Sequence, residues 1–426
     1  MHTLIIFNPG HFHAALALRY RHRMLSNGVY VYAEDGPDLE RFLALVETFN
    51  RRENDPAQWN LHVYRGADCL ERLIAERKGG VVIVAGKNDR KLDSIARLQA
   101  AGFSVLGDKP WLIDSNELPR LEHVAGSEPV AMDIMTERHD PANRLQRALS
   151  KIPSVFGEFL KDGSRPAISM VSVHHLLKTV NGQPLKRPVW YFDTAIQGEG
   201  ITDVTTHLAD LALWLTDRGE DCVYDRDIEL IAARQWPTSV PLEIFSRITG
   251  LPDFPDGFHR HVHHGCLNYL CNARIEFALR GVLTHMEARW DLQVRPGGGD
   301  LHEGIVRGSL SEIVVEQSAE TGFLSQLTIL PKDPGKSFGS RLAQAVAELQ
   351  VEFPGLSVEK IEGGYRALIP SALRTTHEQH FSVVLSEFLE YADGRKPASH
   401  GAADVMAKYA LLARAKTLSS KAPTAS

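Results

Sequence analysis

The sequence predicts an α/β Rossmann domain built on a doubly wound parallel sheet, followed by an α+β domain with a large open, mostly antiparallel sheet. Three observations carry this. Across the first third of the chain, short β-rich runs alternate with helical patterns. Val81-Val82-Ile83-Val84-Ala85 is a continuous apolar run between Gly80 and Gly86, the mark of a strand buried on both faces. From residue 271 to 317 the pattern turns into strand, turn, strand, as antiparallel pairing requires.

Each element has its own signal. Residues 4–7 (Leu-Ile-Ile-Phe) read as the first strand, and the Ala- and Leu-rich opening of 14–24 as the helix after it. Residues 29–32 (Val-Tyr-Val-Tyr) are the second strand, and 39–49 a helix whose Leu39, Phe42, Leu43 and Val46 recur at helical spacing. A third strand at 61–64 precedes a helix at 69–77. The buried strand at 81–85 precedes a helix at 92–101, and another strand follows at 104–106. Strands alternating with helices at this spacing argue for βαβ units. Helices are expected at 143–149 and 202–215, strands at 274–279, 282–292, 304–306 and 312–316, and helices again at 378–391 and 403–418. This divides the chain into domains at 1–135 and 136–418, with a polar tail at 419–426 expected to be disordered.

Composition narrows the class. Hydrophobic residues make up 43% and charged residues 23%, ordinary values for a soluble globular chain. The net charge is −6, without a basic stripe, which argues against a nucleic-acid binder. Four cysteines, Cys69, Cys222, Cys266 and Cys271, do not make a disulfide framework in 426 residues. No apolar run reaches the roughly 20 residues of a membrane span. Met1-His2-Thr3 runs straight into a strand, leaving no room for a signal peptide, so a cytoplasmic protein is expected.

The first strand-to-helix turn, Asn8-Pro9-Gly10-His11-Phe12-His13, stands where a dinucleotide fold lets backbone amides meet a pyrophosphate. Only Gly10 of the usual three glycines is present, so a plain tight turn is the competing reading. Glu34 and Asp35 end the second strand, where a carboxylate accepts hydrogen bonds from a ribose and repels a 2′-phosphate; NAD is therefore favoured over NADP. Arg51 and Arg52 are the cations that a folded-back loop would bring to a 2′-phosphate. Ala85, Gly86 and Asn88, at the carboxyl end of the next central strand, join the cofactor-binding set with Asp108 and Lys109. Lys109 points into the ligand crevice of such a sheet, where an ammonium polarises a hydroxyl; a solvated loop lysine is the alternative.

In Gly198-Glu199-Gly200-Ile201-Thr202-Asp203-Val204-Thr205-Thr206-His207-Leu208-Ala209-Asp210, Asp203 and His207 fall at i and i+4, and Asp210 extends that face. The glycines allow close approach to a ligand, and an imidazole with a pKa of about 6.5 suits a general base. An ordinary surface Asp–His pair is the other reading.

These segments together resemble the Gfo/Idh/MocA oxidoreductases. Asp108-Lys109-Pro110 stands where that family has Glu-Lys-Pro, and the Gly200-x-x-Asp203-x-x-x-His207 segment is similar to its glycine-rich Asp-x-x-x-His helix. Gly304-Ile305-Val306-Arg307-Gly308-Ser309 resembles its arginine–glycine strand turn, and Lys396-Pro397 its C-terminus. Pro9-Gly10-His11-Phe12-His13-Ala14-Ala15-Leu16 and Asp133-Ile134-Met135-Thr136-Glu137-Arg138 look like a branch with a distinctive oxidoreductase C-terminal domain. The resemblance implies a bound nicotinamide nucleotide, a carbohydrate substrate and a homo-oligomer formed through the open sheet face. It also implies Lys109 beside the nicotinamide, Asp203 on the substrate and His207 as acid/base. The sequence departs from the family at the first and third glycine places, which hold Asn8 and His13.

Two histidine clusters remain. His174 and His175 lie upstream of the Asp203–His207 segment, and Asp300 and His302 follow the Gly297-Gly298-Gly299 turn; the three histidines are expected to bind substrate, and Asp300 to approach the pocket with His302. The cluster His259, His261, His263, His264, Cys266 and Cys271 invites a zinc reading. It offers neither a Cys-x-x-Cys pair nor a His-x-x-x-His helix, so no metal is expected. The function expected is NAD-dependent hydride transfer to or from a secondary hydroxyl of a sugar or glycoside. Two alternatives stand beside it: NAD-dependent glycoside cleavage by transient oxidation, elimination and re-reduction, and a non-enzymatic NAD-binding regulator.

Overall fold

The computed structural model describes residues 1–161, 163, 165–180, 183–295, 297–333, 335–395 and 402–420. Lys396-Pro397 and the tail from 421 onward lie outside the described residues; Ser419 closes the last helix, Ala402–Ser419. The chain forms two units. The first gathers residues 1–136, 190–198 and 376–413, and the second gathers 137–189, 199–375 and 414–426.

In the first unit six parallel strands lie in the order Asn60–Arg65, Leu25–Ala33, His2–Phe7, Val81–Val84, Ser104–Gly107, Ala131–Asp133. This is the doubly wound arrangement. Leu4, Ile5 and Ile6 are all fully buried, so both sheet faces are covered, and that is why the strand sequences are apolar throughout instead of alternating. Part of the cover comes from far along the chain. The helix His377–Ala392 places Phe381, Val384, Leu385, Phe388 and Leu389 in the same core as Leu4, Ile6 and Val31. The segments 190–198 and 376–413, which the linear reading puts in the C-terminal domain, thus pack within the first unit.

The helix expected over 14–24 stops after one turn, at His13–Leu16. The carbonyls that would accept its next bonds are taken by side chains: Leu18 O by the indole N–H of Trp59 at 2.6 Å, and Arg19 O by Arg52 at 2.5 Å. A continuing helix would also have set Arg19 and Arg23 at i and i+4 on one face, where like charges repel.

The second unit is built on a large open sheet. Its strands run Ile228–Pro241, Cys266–Leu279, Val282–Gln293, Ile168–Leu177, Leu301–Arg307, Ser311–Gln317, Gln326–Pro331, Gly364–Leu368, Ser357–Ile361. Every pairing along this order is antiparallel except that of Val282–Gln293 with Ile168–Leu177. The four expected strands are present and longer than their patterns suggested. Ile168–Leu177, at the centre of the sheet, was not legible because Ser172, His174 and His175 break its apolar run. Among the described residues no helix is long and apolar enough to cross a membrane.

Candidate active site

In the first unit the strand order reverses between His2–Phe7 and Val81–Val84, and the turns leaving these strands run side by side. Ligands of doubly wound sheets bind at such a switch point. The backbones nearly touch: His11 N–H donates to Ala85 O at 3.0 Å, and a Cβ at Gly86 would come 2.3 Å from Asn8 O. Gly86 is therefore required by the approach of the first turn. A Cβ at Gly10 would stand 3.2 Å from the Trp190 ring, 3.3 Å from Asp38 Oδ2 and 3.4 Å from Gly86 Cα, so Gly10 too is required by close packing at the turn.

Asn8 holds the first glycine place because it adopts a left-handed φ of 43°, a region open to Asn at little cost. Its side-chain oxygen accepts from Glu34 N–H at 3.1 Å, tying the turn to the end of the second strand. Glu34 and Asp35 are both exposed there, with Asp35 2.7 Å from the Arg65 guanidinium. Arg51 pairs with Glu47 at 2.5 Å, and Arg52 donates to the carbonyls of Arg19, Phe49 and Asp55.

His13, in the third glycine place, fills the space that a glycine would leave. Its ring packs 4.6 Å from Phe381, and Nδ1 lies 3.0 and 3.1 Å from the two oxygens of Asp108. His11 Nδ1 is 3.2 Å from the same carboxylate. Burial pulls the His13 imidazole well below its usual pKa despite Asp108. Burial alone would raise Asp108, but the two histidines outweigh it and hold the carboxyl well below its usual range. Among the described residues, His11, His13 and Asp108 form the only such group whose ligand atoms converge within 4.8 Å, as a metal would need; the His13–Asp108 separations are those of hydrogen bonds. Lys109 follows half-buried, at the carboxyl end of Ser104–Gly107. Asn88 is buried and serves the 190–198 segment: its N–H donates to Ile196 O at 3.1 Å and its Nδ2 to Gln197 O at 2.6 Å.

In the second unit, His207 sits on the helix Thr205–Thr216, and Asp203 in the turn that leads into it. Asp203 is 7% exposed and most of the helix is buried, so this is no surface ion pair. Gly200 proves to serve packing, not ligand approach: a Cβ there would come 2.6 Å from the backbone of Cys271 on Cys266–Leu279. Asp210 is engaged by the Arg138 guanidinium, with Nη2 2.8 Å from Oδ1.

A cavity of about 70 Å³ opens beside this helix. Its polar walls are Glu137, Gln146, Ser172, His174, His207, His302 and Glu303, and Met170, Leu208, Leu211 and Trp214 close its apolar side. His174 and His302 on the sheet and His207 on the helix thereby line one cavity, whereas Asp203 and His175 are not among its lining residues. Asp300, expected with His302 to approach the substrate pocket, is not among the lining residues but stands behind His174. Its carboxylate lies 3.1 Å from His174 Nδ1 and 3.2 Å from His175 Nδ1, and it pairs with Lys178. The only sequence signal was a lone carboxylate directly after Gly297-Gly298-Gly299. The other histidine cluster does not gather: His259, His261, His263 and His264 are exposed, and the Cys271 thiol is pushed up to about 12 by burial.

Residues 145–420 match the family described as "Putative oxidoreductase C terminal domain". The structure is similar to that of an oxidoreductase of Parabacteroides merdae, at 37% identity and a TM-score of 0.93 over 98% of this chain and 97% of the other. It shares its fold with levoglucosan dehydrogenase in complex with NADH and levoglucosan (14% identity, TM-score 0.62, 98% and 97% of the two chains). A protein of Sinorhizobium meliloti described as a myo-inositol dehydrogenase is similar at 15% identity and a TM-score of 0.54 over 99% and 98% of the two chains. Among curated proteins none matches in sequence. By the C-terminal domain that fills most of its second unit and by its likeness to the Parabacteroides protein, the chain belongs to the family of this oxidoreductase C-terminal domain.

Proposed function

We propose that the protein is an NAD-dependent oxidoreductase acting on a secondary hydroxyl of a sugar or glycoside. The observation that carries this reading is the second-unit cavity, which is lined by three imidazoles, two carboxyl groups, Trp214 and aliphatic side chains. A sugar needs both kinds of wall: hydrogen-bonding groups for its hydroxyls, and apolar surface for its C–H faces. The fold shared with a levoglucosan dehydrogenase bound to NADH supports it.

Residues Asn8 to His13, Ala85 and Gly86 would hold the pyrophosphate of a nicotinamide nucleotide at the switch point, and Glu34 and Asp35 its ribose; that group would supply the hydride chemistry. His207 takes the hydroxyl proton, Lys109 stabilises the oxygen as charge develops on it, and Asp203 orients the substrate. Asp108, gripped by His11 and His13, fixes the start of the Lys109 segment.

The test is a mass measurement of nucleotide carried by the purified protein, followed by a sugar panel read at the NADH absorbance. A protein that carries no nicotinamide nucleotide and turns over no sugar in either direction overturns the reading. Aglycone release without net NADH would instead identify the oxidation–elimination–re-reduction route.

Two expectations accompany this. NAD binds more tightly than NADP, because Glu34 and Asp35 are exposed at the ribose end while Arg51 and Arg52 are engaged elsewhere. Glu34→Ala with Asp35→Ala narrows that preference by about tenfold or more in a titration, as removal of like-charge repulsion requires; equal affinities in the unaltered protein would sink the assignment. Copies associate through the open sheet, whose outermost strand leaves Ile231 49% exposed. Sedimentation at the mass of one chain would count against it.

A further inference from the structure

The cavity wall carries a second group built for proton transfer. His302 on Leu301–Arg307 lies directly opposite Ser172 on Ile168–Leu177, and His174, two residues further, shares the Ser172 face. Ser172 Oγ is 2.8 Å from His174 Nε2 and 2.8 Å from His302 Nδ1. Beyond His174 stands Asp300. A continuous chain thus runs from Asp300 through His174 and Ser172 to His302, which lines the cavity.

The carboxylate dictates the direction of every bond. An ionised Asp300 only accepts, so His174 carries its hydrogen on Nδ1 and presents a lone pair at Nε2. The Ser172 hydroxyl donates to that lone pair, and its oxygen accepts from Nδ1–H of His302. The lone pair of His302 is therefore on Nε2.

We propose that His302 is a second general acid–base for the cavity's substrate, coupled through Ser172 and His174 to Asp300. The proposal takes its substrate, a polyhydroxylated sugar, from the function proposed above. When Nε2 of His302 accepts a substrate hydroxyl proton, its Nδ1 proton passes to Ser172 Oγ and the Ser172 proton passes to Nε2 of His174. One substrate O–H bond breaks, each donor along the chain is replenished, and the single positive charge comes to rest on His174 beside the Asp300 carboxylate. The reverse sequence returns the proton.

The surroundings favour charge at that end. Burial and the His174 ring push His302 down to about 4, with Lys178 acting the same way and Glu137 and Asp300 opposing, so His302 does not itself retain a proton near neutrality. Burial would raise Asp300, but His174, His175 and Lys178 hold it well below the usual carboxylate range, so it is present as the anion that receives the charge. Glu303 and His207 complete the titratable groups of the cavity wall.

The test uses the full-length protein with ring-¹⁵N histidine, in the absence of substrate, so that its outcome does not depend on which sugar is bound. At pH 7, ¹⁵N spectra assigned with single variants are expected to show His302 and His174 both protonated at Nδ1. In Ser172→Ala, His302 is expected to shift to the Nε2–H form; Ser172→Thr, which keeps the hydroxyl, preserves the Nδ1–H form. An Nε2–H His302 in the unaltered protein, or an unchanged tautomer in Ser172→Ala, overturns the relay. With an active sugar, Ser172→Ala lowers kcat about tenfold or more with KM within about twofold, and Ser172→Thr restores most of it. A change in KM alone, or equal loss in both variants, overturns the catalytic role.

Discussion

Lys109→Ala and His207→Ala are each expected to lower kcat for sugar oxidation by about 10²–10⁴-fold, the usual cost of losing a positioned acid–base or charge-stabilising group. Thermal unfolding should stay near that of the unaltered protein, because both side chains are only half-buried and neither is part of a hydrophobic core. The two variants differ in what they leave behind. Without Lys109 the alkoxide loses its cation, which a Lys109→Arg change restores only in part, since a guanidinium is larger and spreads its charge over a planar fork instead of a compact ammonium. Without His207 the reaction loses its proton acceptor, and the pH dependence changes with it. Oxidation needs a neutral imidazole, so the oxidative rate of the unaltered protein rises with pH through the His207 titration and ketone reduction shows the opposite limb. In His207→Ala both limbs should disappear. A variant that keeps near-normal kcat removes that residue from its role.

The sequence foretold the two sheets and the main strands of the first one because a strand buried on both faces writes itself as an unbroken apolar run, as in Val81–Val84. It did not foretell Ile168–Leu177, whose polar residues Ser172, His174 and His175 serve the site instead of the core. The helix at 14–24 was overread because its end is set by tertiary bonds from Trp59 and Arg52, residues more than thirty positions away. Local patterns contain no trace of such partners. The same limit applies to the site. Asn8 and His13 looked like defects in a glycine-rich turn, but Asn8 supplies both the left-handed backbone and a bond to Glu34 N–H, while His13 grips Asp108, 95 positions away. Asp300 was legible only as a polar residue near the pocket; its contact with His174 depends on the strand register that sets His302 against Ser172. Residue types at fixed spacing were readable, as with Asp203 and His207. Residues whose role is to hold another residue were not.

Those holding residues should govern how stability responds to acid. His302 titrates at about 4 in the folded protein against about 6.5 in an unfolded chain, and His13 is displaced in the same direction. Both are lowered because burial disfavours the imidazolium, so between about pH 6.5 and 4 the unfolded chain binds more protons than the folded one. Stability then rises with pH in that window and is lost as pH falls through it. For His302 the full difference corresponds to about 3 kcal/mol at the low end, a large share of the roughly 5–15 kcal/mol that holds a typical domain together. Asp300 and Asp108 are lowered too, but a depressed carboxylate gives up its contribution only once pH falls below the ordinary carboxylate range near 4. The two kinds of group therefore act in separate windows, histidines first and carboxylates after. Urea unfolding at pH 7, 6, 5 and 4.5 should show the midpoint falling steadily, and His302→Gln, which cannot take up a proton, should flatten the fall. A midpoint constant from pH 7 to 4.5 would mean that His302 is not held neutral by its surroundings, and Nε2 would then have no lone pair with which to accept a substrate proton.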